Sequence, residues 1–312
     1  MQDITKAVEL LNAGELVAIP TETVYGLGAD ASNPNAVEKI FAAKNRPASH
    51  PVIIHIFSEG QLSDWVETIP DYFSVFAKNF WPGPLTLIFK AKLSVPKIIT
   101  GGQDTIGIRM PSHPIARELL KQFKKPIAAP SANRFGRISP TKASHVQEEL
   151  GDKVKLILDG GDCPFGIEST IIDITQNCPV VLRPGPLDLD TLRNMTKIYT
   201  INFSDNLQKQ LPRVSGSLLS HYAPVTPLEL VKSETDFSKL EQSIAVMSFQ
   251  AKPKNFQSTW VTMPYQPIYY AKILYSTLRE LDKQHFSKIY VEMPEEEPTW
   301  IAIKDRLVRA AC

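Results

Sequence analysis

Cysteine is scarce in this 312-residue chain: Cys163, Cys178 and Cys312 are odd in number and widely spaced. That excludes a disulfide framework and a CxxC metal or redox pair, and it suits a reducing compartment. No apolar run approaches the roughly 20 residues needed to cross a bilayer. Met1 leads into a polar, amphipathic segment rather than a basic stretch followed by an apolar one, so no secretory leader is expected and the cytoplasm is the expected location. An excess of either charge is also lacking. The 34 Lys and Arg against 33 Asp and Glu leave a net charge of +1, so any basic footprint must be local. Repeats and low-complexity tracts are absent, and Glu295-Glu296-Glu297 reads as a solvated loop. Common catalytic signatures are missing too. There is no GxxxxGK(S/T) phosphate loop, and Gly26-Leu27-Gly28 lacks the third glycine of a dinucleotide fingerprint. Without a GxSxG elbow, Ser131 is a weak nucleophile candidate. No histidine pair has metal-ligand spacing, so no metal-binding residues are expected.

What is present is an ordinary globular composition, 43% hydrophobic and 21% charged. Strands and helices alternate up to about residue 198, which predicts an α/β domain over 1–200. A weakly periodic, proline-containing stretch over 201–226 reads as a linker. Strands near 244–249 and 287–292, a helix at 268–283 and a closing helix at 299–311 predict a smaller α/β domain over 227–312.

The organising stretch is Ile19-Pro20-Thr21-Glu22-Thr23-Val24-Tyr25-Gly26-Leu27-Gly28. It follows a buried strand, Leu16 to Ile19, that Pro20 should stop because proline cannot donate to a sheet ladder. Polar residues then sit at the strand's carboxyl end, where open α/β sheets bind ligands. The two glycines permit positive φ and a close approach of backbone to a ligand; the bland alternative is a tight turn with a solvated Thr-Glu-Thr tip. Further on, Asn33-Pro34 reads as N-cap and first residue of a helix that Pro47 should end. Val52 to Phe57 reads as a strand, and 61–81 as two helical pieces broken near Pro70.

Polar tips recur beside apolar strands: Thr21-Glu22-Thr23, Ser131-Ala132-Asn133, Glu168-Ser169-Thr170 and Arg183. Arg109 lies within a strand, where an unpaired guanidinium would be costly to bury. Lys44 and Arg46 stand at a helix C-terminus, where the helix dipole alone would account for them. Taken singly, each residue has a structural explanation. Taken together, Lys44, Arg46, Arg109 and Arg183 could gather around one mouth and grip a phosphate or carboxylate. The residues themselves name no general base.

Six segments, in order and spacing, carry a resemblance. They are Pro20-Thr21-Glu22-Thr23-Val24-Tyr25-Gly26-Leu27, Lys44-Asn45-Arg46-Pro47, Phe80-Trp81-Pro82-Gly83-Pro84-Leu85-Thr86, Ala129-Pro130-Ser131-Ala132-Asn133, Gly166-Ile167-Glu168-Ser169-Thr170 and Arg183-Pro184-Gly185. Over residues 5–200 the chain closely resembles the YrdC-type threonylcarbamoyl-AMP synthases. His221-Tyr222-Ala223-Pro224 and Asp305-Arg306-Leu307-Val308-Arg309-Ala310-Ala311 resemble the linker and closing helix of the two-domain branch.

The resemblance implies a twisted mixed sheet with surrounding helices and a concave basic cleft. It implies a nucleotidyltransferase that converts L-threonine, bicarbonate and ATP to threonylcarbamoyl-adenylate and pyrophosphate. The product would pass to a separate transferase that modifies tRNA beside the anticodon. By matching position, Thr23, His55, Arg109, Ala129 and Ser169 would hold threonine. Arg46, His50, Thr105, Ser131, Ser139 and Arg183 would contact the nucleotide, with Lys44 and Asn133 close by and His221 and Tyr222 folding back from the linker. Lys44, Arg46 and Arg109 are the expected catalytic cations, and Mg²⁺ would arrive with the triphosphate. His50 stands where the family usually has Asn, and Ser215 to Ser220 lack the linker's usual positive charges. The alternative is a non-catalytic RNA-binding or regulatory protein on the same fold.

Overall fold

The computed structural model of the chain describes residues 2–198, 200–203, 211–216, 218–235, 243–254 and 256–312. Two units form: Met1–Phe135 with Ser139–Ser217, and Gly136–Ile138 with Leu218–Cys312. The segment read as a linker is divided between them.

In chain order the first unit contains α1 (Gln2–Asn12), β1 (Val17–Ile19), β2 (Gly26–Asp30), α2 (Pro34–Lys44), β3 (Ile54–His55) and α3 (Phe73–Phe80). Then come β4 (Leu85–Lys90), α4 (Lys97–Thr100), β5 (Thr105–Arg109), α5 (Pro114–Phe123), β6 (Ile127–Ala128) and α6 (Ala143–Leu150). The unit ends with β7 (Leu156–Ile157), β8 (Thr170–Asp173), β9 (Val180–Arg183), α7 (Leu189–Thr196) and β10 (Asn202–Phe203). Among the described residues its strands make one ten-stranded sheet, ordered β10-β9-β8-β4-β5-β3-β6-β2-β1-β7. Parallel and antiparallel neighbours mix, as β3 with β5 and β4 with β5 illustrate.

Strand period explains how the sheet is covered. Ala18 belongs to the core cluster that also contains Ile40 of α2 and Phe76 of α3. Its neighbours Val17 and Ile19 pack on the opposite face with Leu11 of α1 and Leu119 and Phe123 of α5. Burying each such Leu, Ile or Phe contributes roughly 1.5–3 kcal/mol, so both faces are firmly clamped.

Helix α2 begins as its sequence reads. Asn33 accepts from the N–H groups of Asn35 and Ala36 at 3.1 and 3.3 Å, and Pro34 opens the helix. It ends earlier than Pro47. Asn45 turns left-handed at φ 52, and the Arg46 N–H closes onto the Phe41 carbonyl at 2.9 Å.

Other expectations need correcting. Gly26 and Gly28 lie inside β2 rather than in a turn. A Cβ on Gly28 would sit 2.5 Å from Ile19 Cδ1 and 3.0 Å from Ile127 Cγ2, so glycine serves sheet packing between β1 and β6. The Val52–Phe57 run yields only the two-residue β3. The first piece of 61–81 is a 3₁₀ turn, Glu59–Asp64, and only the second, α3, is an α-helix.

The second unit contains β11 (Leu228–Val231), β12 (Ile244–Ser248), β13 (Thr259–Thr262), α8 (Pro267–Asp282), β14 (Lys288–Glu292) and α9 (Ile301–Ala310). Its sheet is parallel, in the order β11-β14-β12-β13.

Candidate active site

The first unit builds its site from strand ends. After β1 the chain turns through Thr21, whose Oγ1 accepts from the Thr23 and Val24 N–H groups at 3.2 Å each and donates to the Val24 carbonyl at 2.6 Å. Such a local hydroxyl-to-backbone bond fixes the turn without a sheet partner. The turn presents Glu22 and Thr23 to Arg109 at the end of β5. Arg109 is only 4% exposed, and its guanidinium is matched on three sides. NH1 donates to Thr23 Oγ1 at 2.8 Å, NH2 to Glu22 Oε1 at 2.5 Å, and Nε to the Gly83 carbonyl at 3.3 Å. Burial works to raise the Glu22 carboxyl, but the Arg109 charge and hydrogen bond and the Ser112 N–H hold it below the usual carboxylate range.

Register aligns the neighbours. Arg109 is opposite Thr86 on β4 and His55 on β3, so the three side chains share one face. His55 is buried as a neutral ring: burial first, then the Arg109 charge, pull its pKa to about 3. Its Nδ1 has no hydrogen-bond partner among the described residues. Ala129 follows β6 beside β3 and donates its N–H to the Ile53 carbonyl at 3.0 Å. Ser169, just before β8, exchanges a hydrogen bond with Thr86 at 2.8 Å.

Arg183 ties the next strand to this group. It donates through Nε and NH2 to the Ser169 carbonyl at 3.1 and 2.8 Å, and through NH2 to Ser169 Oγ at 3.1 Å. Glycine follows at position 185 for a reason: a Cβ there would sit 2.4 Å from the Thr170 nitrogen and 2.7 Å from the Glu168 oxygen. Ser139 donates to Glu168 Oε1 at 2.5 Å, with both side chains buried.

Lys44 and Arg46 flank another wall. Lys44 is 1% exposed and donates to the Ser131 carbonyl at 2.5 Å and to the Asn133 carbonyl. Burial, with the Arg46 charge adding to it, pushes its ammonium well below the ordinary lysine range. Arg46 donates to the Pro51 carbonyl at 2.9 Å and lies 5.5 Å from the centre of the Phe135 ring. The His50 ring stands 5.1 Å from the same ring, its pKa lowered by burial and by Arg46 and Arg213. Thr105 opens β5 and lines a cavity with Pro51, Val52, Gly107, Val214 and Ser215.

Thus Thr23, His55, Arg109 and Ser169 are brought together, with Ala129 beside β3. Lys44 meets Ser131 and Asn133, and Arg46 lies near His50. His221 and Tyr222 belong to the second unit. There the Tyr222 ring stacks 5.8 Å from Tyr275, the Arg306 guanidinium lies 5.3 Å away over it, and the His221 N–H donates to the Arg309 carbonyl at 3.0 Å.

Sequence reasoning missed three features. Glu22 is the counter-ion that a strand-buried Arg109 demands, and this demand was the signal for it. Glu168 accompanies Ser139. The segment Arg213-Val214-Ser215 lies in the site itself: Ser215 accepts from Arg183 and Arg46, and nothing in its composition announced that.

Known proteins resemble this chain along nearly its whole length. A family model for Sua5, YciO and YrdC, described as telomere recombination, matches residues 9–185. A second, described as the C-terminal domain of threonylcarbamoyl-AMP synthase, matches residues 188–312. The threonylcarbamoyl-AMP synthase of Pyrococcus abyssi is 39% identical over 98% of this chain and 93% of its own length. That of Bacillus subtilis is 35% identical over 99% of this chain and 92% of its own. The crystal structure of P. abyssi Sua5 complexed with L-threonine matches with a TM-score of 0.90 at 38% identity, covering 99% of this chain and 94% of that one. The chain therefore belongs to the Sua5/YrdC family, in its two-domain form with a Sua5 C-terminal domain.

Proposed function

We propose that this chain is a threonylcarbamoyl-AMP synthase, a nucleotidyltransferase that forms L-threonylcarbamoyladenylate and pyrophosphate from L-threonine, bicarbonate and ATP. The observation that carries the reading is the placement of Arg109, buried in register with His55 and Thr86 and facing Thr23, in a chain similar over 98% of its length to such a synthase.

Arg109 receives the threonine carboxylate, since a guanidinium offers paired donors to two oxygens. Thr23, Ser169, the Ala129 backbone and the neutral His55 ring orient the rest of the amino acid. Arg46 and Arg183 address the nucleotide phosphates, with His50, Thr105 and Ser139 beside them and Lys44 holding the Ser131–Asn133 loop in shape. ATP enters as its magnesium complex, the ion held by phosphate oxygens and water.

The chemistry asks the protein mainly for position and charge. Bicarbonate gives up carbon dioxide with release of water. Threonine's amine, its ammonium proton lost to solvent, adds to the carbon dioxide and sheds a second proton to form a carbamate. The carbamate oxygen attacks the α-phosphorus and displaces pyrophosphate. A pocket that excludes water protects the carbamate, and fixed cations meet the charge that builds on the leaving group. The adenylate then goes to a separate tRNA-modifying transferase in the cytoplasm, a compartment that suits three free cysteines.

Arg109→Ala tests the reading. Threonine-dependent turnover is expected to fall by at least about 100-fold, and stability to drop because Glu22 is left buried without its counter-ion, so turnover is measured below the variant's melting temperature. Unchanged turnover would remove Arg109 from the site.

A further inference from the structure

The proposed threonine pocket contains a carboxylate whose use goes beyond holding the fold. Glu22 is 4% exposed, and its carboxylate accepts from Arg109 NH2 at 2.5 Å on Oε1, from the Ser112 N–H at 3.1 Å on Oε2 and from its own backbone N–H. Two carboxylate oxygens accept about four donors, so capacity for a further one remains. Arg109 uses three of its five N–H groups on Gly83, Thr23 and Glu22, leaving two without a protein partner among the described residues. Those two suffice for the two oxygens of a ligand carboxylate.

Charge balance in this pocket favours a zwitterion. Arg109 and Glu22 cancel, and the next buried charges, Arg183 behind Ser169 and Glu168 beside it, are also opposite in sign. His55 is neutral, as burial and the nearby Arg109 dictate. The Cys163 thiol, also within the field of this pair, is kept neutral because burial raises its pKa. A ligand with a bare carboxylate would therefore leave one uncompensated negative charge beside side chains only 4% exposed, which is unfavourable. A zwitterion would leave none. It also supplies an ammonium with three N–H donors, which the pocket can meet with a carboxylate but not with a second cation.

We infer that Arg109 and Glu22 act as a matched pair that reads the zwitterion of an α-amino acid, Arg109 binding the carboxylate and Glu22 the ammonium. Glu22 is then a specificity residue: it selects amino acids over the corresponding hydroxy acids and sets the amine at a fixed place for carbamate formation. This rests on the threonine reading of the pocket.

Calorimetric titration separates the two roles Glu22 could have. The ligands are L-threonine and the dihydroxy acid in which a hydroxyl replaces the ammonium; the proteins are the full chain and its Glu22→Gln variant. The wild-type chain is expected to prefer threonine by about 100-fold, in keeping with the cost of unpairing a buried charge. In Glu22→Gln, which keeps one acceptor oxygen for Arg109 and turns its amide nitrogen toward the Ser112 N–H, threonine binding should weaken by about 30-fold or more. Binding of the dihydroxy acid should strengthen, because Arg109 is no longer neutralised. Opposite shifts support the inference. Equal weakening of both ligands would show that Glu22 only props Arg109, and would overturn it. Wild-type selectivity decides the matter even if the variant does not fold: equal affinity for the two ligands overturns the inference. A wild-type chain that binds no threonine instead overturns the threonine reading itself.

Discussion

Arg183 donates a hydrogen bond from NH1 to the carbonyl of Ser215 at 2.9 Å, and Arg46 reaches the same residue's hydroxyl at 3.3 Å. One residue thus engages both arginines proposed for the nucleotide phosphates. The segment is anchored on each side of that contact. Val214 is 5% exposed and packs against Ile88 and Ile171. Arg213 and Gln103 exchange two hydrogen bonds at 2.7 and 3.0 Å. A carbonyl and a hydroxyl are weaker acceptors for guanidinium than a phosphate, so a nucleotide should displace them. Val214→Asp would lift the segment, because the carboxylate cannot remain in that apolar cluster. The dissociation constant for ATP is expected to fall by about three- to tenfold, a cost of ordering removed from binding. A higher constant would show instead that the segment forms part of the nucleotide site.

Lys44 is held by two backbone carbonyls, those of Ser131 and Asn133. Lys44→Met keeps the length of the side chain but takes the donor from the carbonyls of buried Asn133 and half-buried Ser131. The first unit should lose about 2–4 kcal/mol, one to two unsatisfied polar groups' worth, and amide exchange should quicken around Ser131–Asn133. Unaltered stability with lost turnover would give Lys44 a direct part in the chemistry.

His55 makes stability depend on pH. Its pKa is about 3 in the folded chain against 6.5 when unperturbed, lowered by burial and Arg109. Between those values the unfolded chain binds a proton that the folded chain refuses, so stability falls as pH falls below 6.5. The slope reaches about 1.4 kcal/mol per pH unit for one such group. His50, shifted in the same direction, adds to the effect with the same sign. Glu22 acts with its own sign: its lowered pKa stabilises the fold above the unperturbed 4.5, and that contribution is lost as pH falls through the folded value. The window from pH 6.5 to 4.5 therefore isolates the histidines. Denaturant midpoints measured there should slope less in His55→Gln than in the parent chain, and an identical slope would contradict the burial of a neutral ring.

The fold was legible where local chemistry decides it. Asn33-Pro34 announced the start of α2, the Pro114–Phe123 periodicity announced α5, and Pro20 announced the end of β1. It was illegible where long-range pairing decides. Strands of two residues, such as Ile54–His55 and Ile127–Ala128, are too short to show a period, and exist because both neighbours hold them. Gly26 and Gly28 read as a turn because glycine's backbone freedom and its lack of bulk look alike in a sequence. Strands Leu228–Val231 and Thr259–Thr262 in the second unit went unread for the same reason that short parallel strands often do: register partners, not residue pattern, define them. In the site, the cations and hydroxyls stood out by type and position. Glu22 stands between Thr21 and Thr23, but its pairing with Arg109 depends on a turn and a strand meeting across the sheet. The 213–215 segment gave no signal, since a backbone carbonyl is common to every residue.

The most direct test is pyrophosphate release from the purified chain supplied with ATP and Mg²⁺, with L-threonine and bicarbonate added singly and together. The account predicts release only when both are present, and little with either alone. Release indifferent to threonine, or none at all alongside strong, salt-sensitive RNA binding, would contradict it and favour an RNA-binding protein built on the same fold.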